Sequence, residues 1–229
     1  MRSRLPDQLP EPRAGRGRVN ADQAYRWLMG AGAPSAGDGF DRHVFAAILS
    51  LAIGQSADQG MSLAVTTGLD PVGMAGLASV LFPSAGRELA ELAAGEAPRV
   101  GVEEQSVRDI LLMYASGPAA LMRPLVALIA RRCNEPHHLW QDLGLRDRGE
   151  LSTLMQRHFS RLKERNQGDM KWKKFLYRMV CATEGFTLCP APVCSECDDF
   201  SSCFGSEEGV AQLTHSYTED LRATAFRKD

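Results

Sequence analysis

The sequence has no long apolar run, few aromatic residues and almost no net charge. Phe, Trp and Tyr make up 7% of its 229 residues, and the formal net charge is -2. No stretch approaches the roughly 18 apolar residues of a membrane span, and the N-terminus lacks the apolar core of a secretory signal. We therefore expect a cytoplasmic protein with no membrane partner. The slightly acidic charge also disfavours nucleic acid as a partner.

Segments that alternate β-branched with polar residues are missing as well. Helix formers such as Ala, Leu, Met, Arg and Glu are abundant. They form runs between Gly and Pro residues at Phe40–Gln55, Leu77–Phe82, Arg87–Ala94, Val107–Ala115 and Leu121–Arg132. This pattern predicts an all-α fold. Pro124 is expected in the first turn of its helix or at a kink, because an interior proline removes a backbone hydrogen bond.

Two further helices are predicted before the C-terminal region. Asp147 with Glu150 three residues later is typical of a capping box, and Asp169 is expected to cap the second helix, which ends at Gly185. The first apolar stripe consists of Leu151, Leu154, Met155, His158, Phe159 and Leu162; the second consists of Trp172, Phe175, Leu176, Met179 and Val180. We expect the two helices to pack as an antiparallel hairpin.

Cysteine is concentrated in the last quarter of the chain. The spacing Cys-x4-Cys-x2-Cys-x5-Cys places four thiolates in one short loop at Cys189, Cys194, Cys197 and Cys203. Four sulfur ligands suit zinc or iron–sulfur chemistry. Structural zinc sites usually pair two well-separated knuckles, whereas a longer first gap followed by Cys-x2-Cys is typical of iron–sulfur proteins. The spacing therefore favours a cluster of several metal centres over structural zinc, which stays open.

Additional ligands and a basic helix face are candidates around this loop. Lys171, Lys174 and Arg178 fall at i, i+3 and i+7, where they are predicted to face an anion or the cluster or to form an ordinary solvated face. Cys181 is a candidate fifth thiolate. His138 is a candidate nitrogen ligand, or a structural residue that orients its turn.

The remaining cysteine, a histidine and four carboxylates have simpler interpretations. Cys133 is expected to be a small buried hydrophobe, and His158 a core histidine with one satisfied hydrogen bond. Four acidic residues near the thiolates are expected to favour a labile cluster: Asp198, Asp199, Glu207 and Glu208.

From about residue 134 to 208 the sequence resembles the NifQ family of nitrogen fixation. The resemblance is carried by HLWQDLGL, ELSTLMQRHF, DMKWKKFLYR, the cysteine spacing and CFGSEE. It implies a carrier, not an enzyme, that binds a molybdenum-containing iron–sulfur cluster, formed from an iron–sulfur precursor and molybdenum. The implied role is donation of molybdenum for the nitrogenase iron–molybdenum cofactor. Molybdate or another molybdenum source, the nitrogenase iron protein and the cofactor scaffold complex are the implied partners.

The expected organisation is a flexible arm over residues 1–20, a helical domain over 21–208 with its cluster loop at 189–203, and a tail over 209–229. Two alternatives stay open: a helical DNA-repair glycosylase-like protein with a structural iron–sulfur loop, and a zinc-stapled interaction protein. Against the glycosylase alternative, the sequence has no glycine-rich helix-hairpin-helix segment, and its overall charge is not basic. No catalytic constellation stands out in the sequence.

Overall fold

The computed structural model describes residues 20–32, 39–184, 203–204 and 206–213. In these ranges every regular element is a helix, which confirms the all-α prediction there. The α-helices are α1 Ala21–Ala31, α2 Gly39–Gln59, α3 Leu63–Thr67, α4 Pro71–Leu81, α5 Gly86–Ala93, α6 Val102–Tyr114, α7 Ala119–Arg132, α8 Leu139–Asp142, α9 Arg148–His158, α10 Ser160–Arg165 and α11 Trp172–Glu184, with a 3-10 turn at Pro83–Ala85.

Several helices begin at polar caps that satisfy their free backbone N–H groups. The Asn20 side chain accepts a hydrogen bond from Asp22 N at the start of α1. Asp70 caps α4, whose first residue is Pro71. Caps of this kind stabilise a helix by about 1 kcal/mol each, so these starting points are encoded in the sequence nearby.

Helix α2 is the centre of the core. Six consecutive residues of this helix, from Val44 to Leu49, are buried, so the middle of α2 is enclosed on all its faces. It packs against α1 and α3. No helix in the described ranges is both long enough and apolar enough to cross a membrane.

A buried polar contact joins α2 to α9. His158 Nε2 lies 2.9 Å from Asp41 Oδ1, and both side chains are about one-tenth exposed. Arg157 Nε lies 3.3 Å from the same carboxylate oxygen, and its guanidinium lies over the Phe40 ring. The interpretation of His158 as a core histidine with a satisfied hydrogen bond is confirmed.

The segment after Asp147 begins as predicted but is not one continuous helix. Asp147 Oδ1 accepts from Glu150 N, while Glu150 Oε2 accepts from Arg146 N. Every residue of the first predicted stripe is buried. The helix breaks at Phe159, whose φ of -141° and ψ of 42° separate α9 from α10. The break leaves His158 O as an acceptor for Ser116 N at 2.8 Å.

The start of α11 and its packing differ from the prediction. Asp169 has a φ of 52° and is not the cap, because α11 begins only at Trp172. Asn166 holds the chain out of helix by donating to Met170 O and accepting from Met170 N, both at 2.9 Å. The antiparallel hairpin is also wrong, since α6 is the main packing partner of α11.

The second predicted stripe is buried except at one position. Trp172, Phe175, Leu176 and Val180 are buried, and Met179 is partly buried against them. The predicted end at Gly185 lies outside the described residues. Pro124 lies in the second turn of α7 and is buried, so the first-turn placement is wrong.

Candidate metal-cluster site

Cys203 is the only one of the four loop cysteines within the described residues, while Cys189, Cys194 and Cys197 lie outside them. Cys203 is half-buried, and its carbonyl oxygen accepts a hydrogen bond from Lys171 N at 2.8 Å. The last cysteine of the motif is therefore fixed at the residue that precedes α11.

The Phe204 ring supports this placement of Cys203 by packing on the turn before α11. A Cβ atom added at Gly168 would lie 3.1 Å from Phe204 Cε1, closer than an ordinary van der Waals contact. Both Cys203 and Phe204 pack against the hydrophobic core. The closing end of the cysteine motif thus belongs to the folded body of the protein.

The candidate fifth thiolate lies at the opposite end of α11. Cys181 follows Lys171 by ten residues, which corresponds to about 15 Å along a helix. It is half-buried. The role of Cys181 stays a prediction.

The predicted basic residues begin beside Cys203 and continue along α11. Lys171 is half-buried, and Lys174 and Arg178 are exposed. Lys173, which the sequence pattern did not single out, has a different role: its Nζ donates to Asp142 Oδ2 and to Glu135 O, both at 2.5 Å. Lys173 therefore ties α11 to α8 and to the segment that follows α7.

His138 contacts a carboxylate, and its backbone closes the first turn of α8. Its Nδ1 lies 3.3 Å from Glu207 Oε1, and its side chain is 31% exposed. Its backbone N donates to Gln141 Oε1 at 3.2 Å. These contacts support the structural alternative, and ligation by His138 stays a prediction.

Glu207 is held in an ion pair that sequence reasoning missed. Its Oε2 lies 2.6 Å from Arg148 Nη1, and its side chain is only 2% exposed. The negative charge expected from Glu207 near the thiolates is therefore compensated by a guanidinium. Arg148 and Glu207 are 59 residues apart in the sequence, and no local spacing relates them.

The segment 206–213 runs from the cysteine motif across α8. Gln141 Nε2 donates to Val210 O at 3.1 Å. Leu213 is buried, and its Cδ1 would lie 3.2 Å from a Cβ atom added at Gly144. Residues 209–213, which the sequence placed in the tail, thus pack on the helical body, and the domain boundary at 208 stays a prediction.

Near α8, a cavity of about 640 Å³ lies between α1, α2 and the end of α7. Its lining includes Gln55, Arg132, Glu135 and Asp142. Arg132 is buried, and burial lowers the pKa of its guanidinium. Arg132 Nη1 donates to Gln55 Oε1 at 2.8 Å.

Within the described ranges no group of three or more His, Cys, Asp or Glu residues is arranged to hold a metal ion.

Comparison with known proteins gives a consistent result over most of the chain. The NifQ family model matches residues 44–205. A protein NifQ homolog of Sinorhizobium fredii is 39% identical over 171 residues, which cover 74% of each chain. Protein NifQ of Rhodobacter capsulatus is 37% identical over 110 residues, 48% of this chain and 61% of that protein. Protein NifQ of Azotobacter vinelandii is 34% identical over 134 residues, 58% of this chain and 69% of that protein. No solved structure matches the chain.

Proposed function

The chain belongs to the NifQ family, and on this premise we propose that it binds a molybdenum-containing iron–sulfur cluster and donates the molybdenum. A role in nitrogen fixation follows from the family. The proposed destination is the iron–molybdenum cofactor of nitrogenase, with the nitrogenase iron protein and the cofactor scaffold complex as acceptors. In this role the protein is a carrier, and the metal is its cargo.

The observation that carries the proposal is the position of Cys203 at the start of α11. Thiolate clusters are anionic, and the N-terminal end of a helix carries partial positive charge. The backbone N–H of Lys171 contacts Cys203 O, and the Lys171 side chain is expected to add positive charge near this end. Cys197 precedes Cys203 by six residues, and six residues reach at most about 20 Å. A cluster that uses Cys203 and Cys197 would therefore lie within about 20 Å of this end of α11.

The basic residues of α11 supply the second part of the proposed mechanism. Lys174 and Arg178 are exposed, and Lys171 to Arg178 span about 10 Å of helix. Their fields reach about a Debye length, roughly 8 Å at physiological salt. They are expected to attract molybdate and to hold an anionic cluster beside the helix until an acceptor binds.

Elemental analysis of anaerobically purified full-length protein tests the proposal. Iron, sulfide and molybdenum found together, and lost when Cys189, Cys194, Cys197 and Cys203 are replaced by Ser, support it. Stoichiometric zinc without iron supports the zinc-stapled alternative and overturns the proposal. Iron without molybdenum, after growth with ample molybdate, contradicts the donor role.

A transfer experiment separates cargo from a resident cofactor. Loaded protein is mixed anaerobically with the molybdenum-free scaffold complex and the nitrogenase iron protein, and molybdenum is measured in each protein after separation. Movement of molybdenum to the scaffold complex supports donation. Complete retention by the carrier would show that the metal has a structural role, as in the glycosylase-like alternative.

A further inference from the structure

One guanidinium contacts the chain on both sides of the Cys203 anchor. Arg148 Nη1 donates to Glu207 Oε2 at 2.6 Å, and Glu207 follows Cys203 by four residues. Arg148 Nη2 donates to Asp169 O at 2.8 Å and to Met170 O at 3.4 Å. Met170 directly precedes Lys171, the residue whose N–H binds the Cys203 carbonyl.

Burial makes the pairing of Arg148 with Glu207 the dominant contact of this group. The Glu207 side chain is 2% exposed and the Arg148 side chain 20% exposed. The Asp169 carboxylate, 2.9 Å from Arg148 Nη2, is 79% exposed, so solvent screens its ion pair. The backbone carbonyls of Asp169 and Met170 are therefore the more important partners of Nη2.

The geometry of these contacts needs the planar fork of arginine. Two nitrogens of one guanidinium point to different chain segments, and a lysine ammonium on its flexible stem does not reproduce both contacts. Asp169 has a φ of 52°, a left-handed backbone conformation that residues other than glycine rarely adopt. The contacts to its carbonyl and to Met170 O help to hold this turn and, with it, the position of Lys171 N.

We propose that Arg148 is a positioning residue that fixes Cys203 as a cluster ligand. The inference rests on the proposed function and adds to it a residue outside the cysteine motif. Because Arg148 holds the chain before Lys171 and after Cys203, the Cys203 backbone stays in place when the cluster is exchanged. Loss of these contacts would leave Cys203 less firmly positioned. Substitution of a residue that orients a metal ligand typically weakens metal binding 10–100-fold.

The test uses full-length R148K protein reconstituted anaerobically with ferrous iron, sulfide and molybdate. We expect iron release to a chelator to be roughly 10-fold faster than in the wild type, and the electronic spectrum to shift toward that of C203S. In the C203S background, R148K is expected to add nothing, because residues that act through one another are not additive. The matched control is R157K on the same helix, at a guanidinium that pairs with Asp41 instead.

Three outcomes overturn the inference: wild-type release and spectrum in R148K, an effect of R148K that persists in C203S, or an equal effect in R157K. The variant E207Q retains the shape of Glu207 but removes its charge. If far-UV circular dichroism shows that R148K does not fold, E207Q replaces it in the same iron-release and spectral measurements. Wild-type protein that binds neither iron nor molybdenum contradicts the proposed function itself, which is a separate result.

Discussion

Cys133 and Cys181 are both free thiols, but their surroundings differ. Cys133 is buried at the end of α7, and burial raises its pKa to about 12 from an ordinary value of 9.0. At pH 8 its thiolate fraction is then about a thousandfold below that of an ordinary cysteine. The same position supports the expectation that Cys133 behaves as a small hydrophobe.

Alkylation with iodoacetamide at pH 8, read by peptide mass spectrometry, is expected to leave Cys133 unmodified while Cys181 reacts. Cys133 should react only after the protein is unfolded, or slowly as the pH rises toward 12, because a raised thiol pKa delays formation of the thiolate. Equal labelling of the two thiols in folded protein would contradict the buried position of Cys133.

The contact between Asp41 and His158 is expected to contribute strongly to stability. Asp41→Ala leaves His158 buried without its carboxylate, and we expect the free energy of unfolding to fall by roughly 2–4 kcal/mol. Urea denaturation followed by circular dichroism measures this change. Glu91→Ala is the matched control, because its ion pair with Arg87 is exposed; a loss as large as that of Asp41→Ala would refute the role assigned to burial.

At the residue scale, side-chain roles were predictable where they depend on local spacing. His158 falls in a buried stripe, so its core position followed from its neighbours. Its partner Asp41 lies 117 residues away, and Glu207 lies 59 residues from Arg148. Pairs so far apart are brought together only by packing, which periodicity does not encode.

Among the elements, the turn between α8 and α9 depends on glycine. Gly144 has a φ of 70°, and a Cβ atom there would lie 3.0 Å from the Ala47 carbonyl oxygen of α2. Gly144→Ala is therefore expected to destabilise the protein by roughly 1–3 kcal/mol, which is about 2–4 °C per kcal/mol in a thermal scan. Gly39→Ala, at the exposed start of α2 with no atom within 4 Å, should lower the melting temperature very little.

Boundaries between elements were less predictable than the elements themselves. The break at Phe159 leaves the whole stripe from Leu151 to Leu162 buried, so the apolar pattern gives no sign of it. Asp is a residue type that often caps a helix, but at Asp169 the two hydrogen bonds between Asn166 and Met170 delay the start of α11. In both cases a specific hydrogen-bonding geometry overrides a local preference.

For the whole molecule, the core and the proposed cluster are expected to be only partly coupled. The hydrophobic core extends from α1 to α11 and includes Leu213. A chelator that removes the cluster should therefore preserve the helical far-UV signal. A ligand present at a hundred times its dissociation constant stabilises the folded protein by about 2.7 kcal/mol. Removal of the cluster should therefore lower the melting temperature by roughly 5–11 °C.

Hydrogen exchange measured after chelation identifies the residues whose stability depends on the proposed cluster. Faster exchange is expected in residues 203–213 and around Arg148, with little change in α2. Loss of helix throughout the chain would instead indicate that metal binding and folding are one event, as in small zinc domains.

The sequence predicted the fold class because helix formers and apolar stripes are local signals summed over many residues. It also identified the four-cysteine motif and the helical segments before it, although the first of these segments consists of two helices, α9 and α10. It did not predict that α11 packs on α6 or that Cys203 is fixed at Lys171. Those features depend on where the chain returns after long separations, which no short window contains.

The distance in sequence between Asp41 and His158 has a consequence for synthesis of the protein. Chains emerge from the ribosome N-terminus first, at roughly 5–20 residues per second. Helix α2 is therefore made long before α9, and its buried carboxylate waits for a partner that arrives 117 residues later. At that rate the wait is about 6–23 s. The cysteine motif is translated after His158, so both partners of this buried contact have been made before the metal ligands appear.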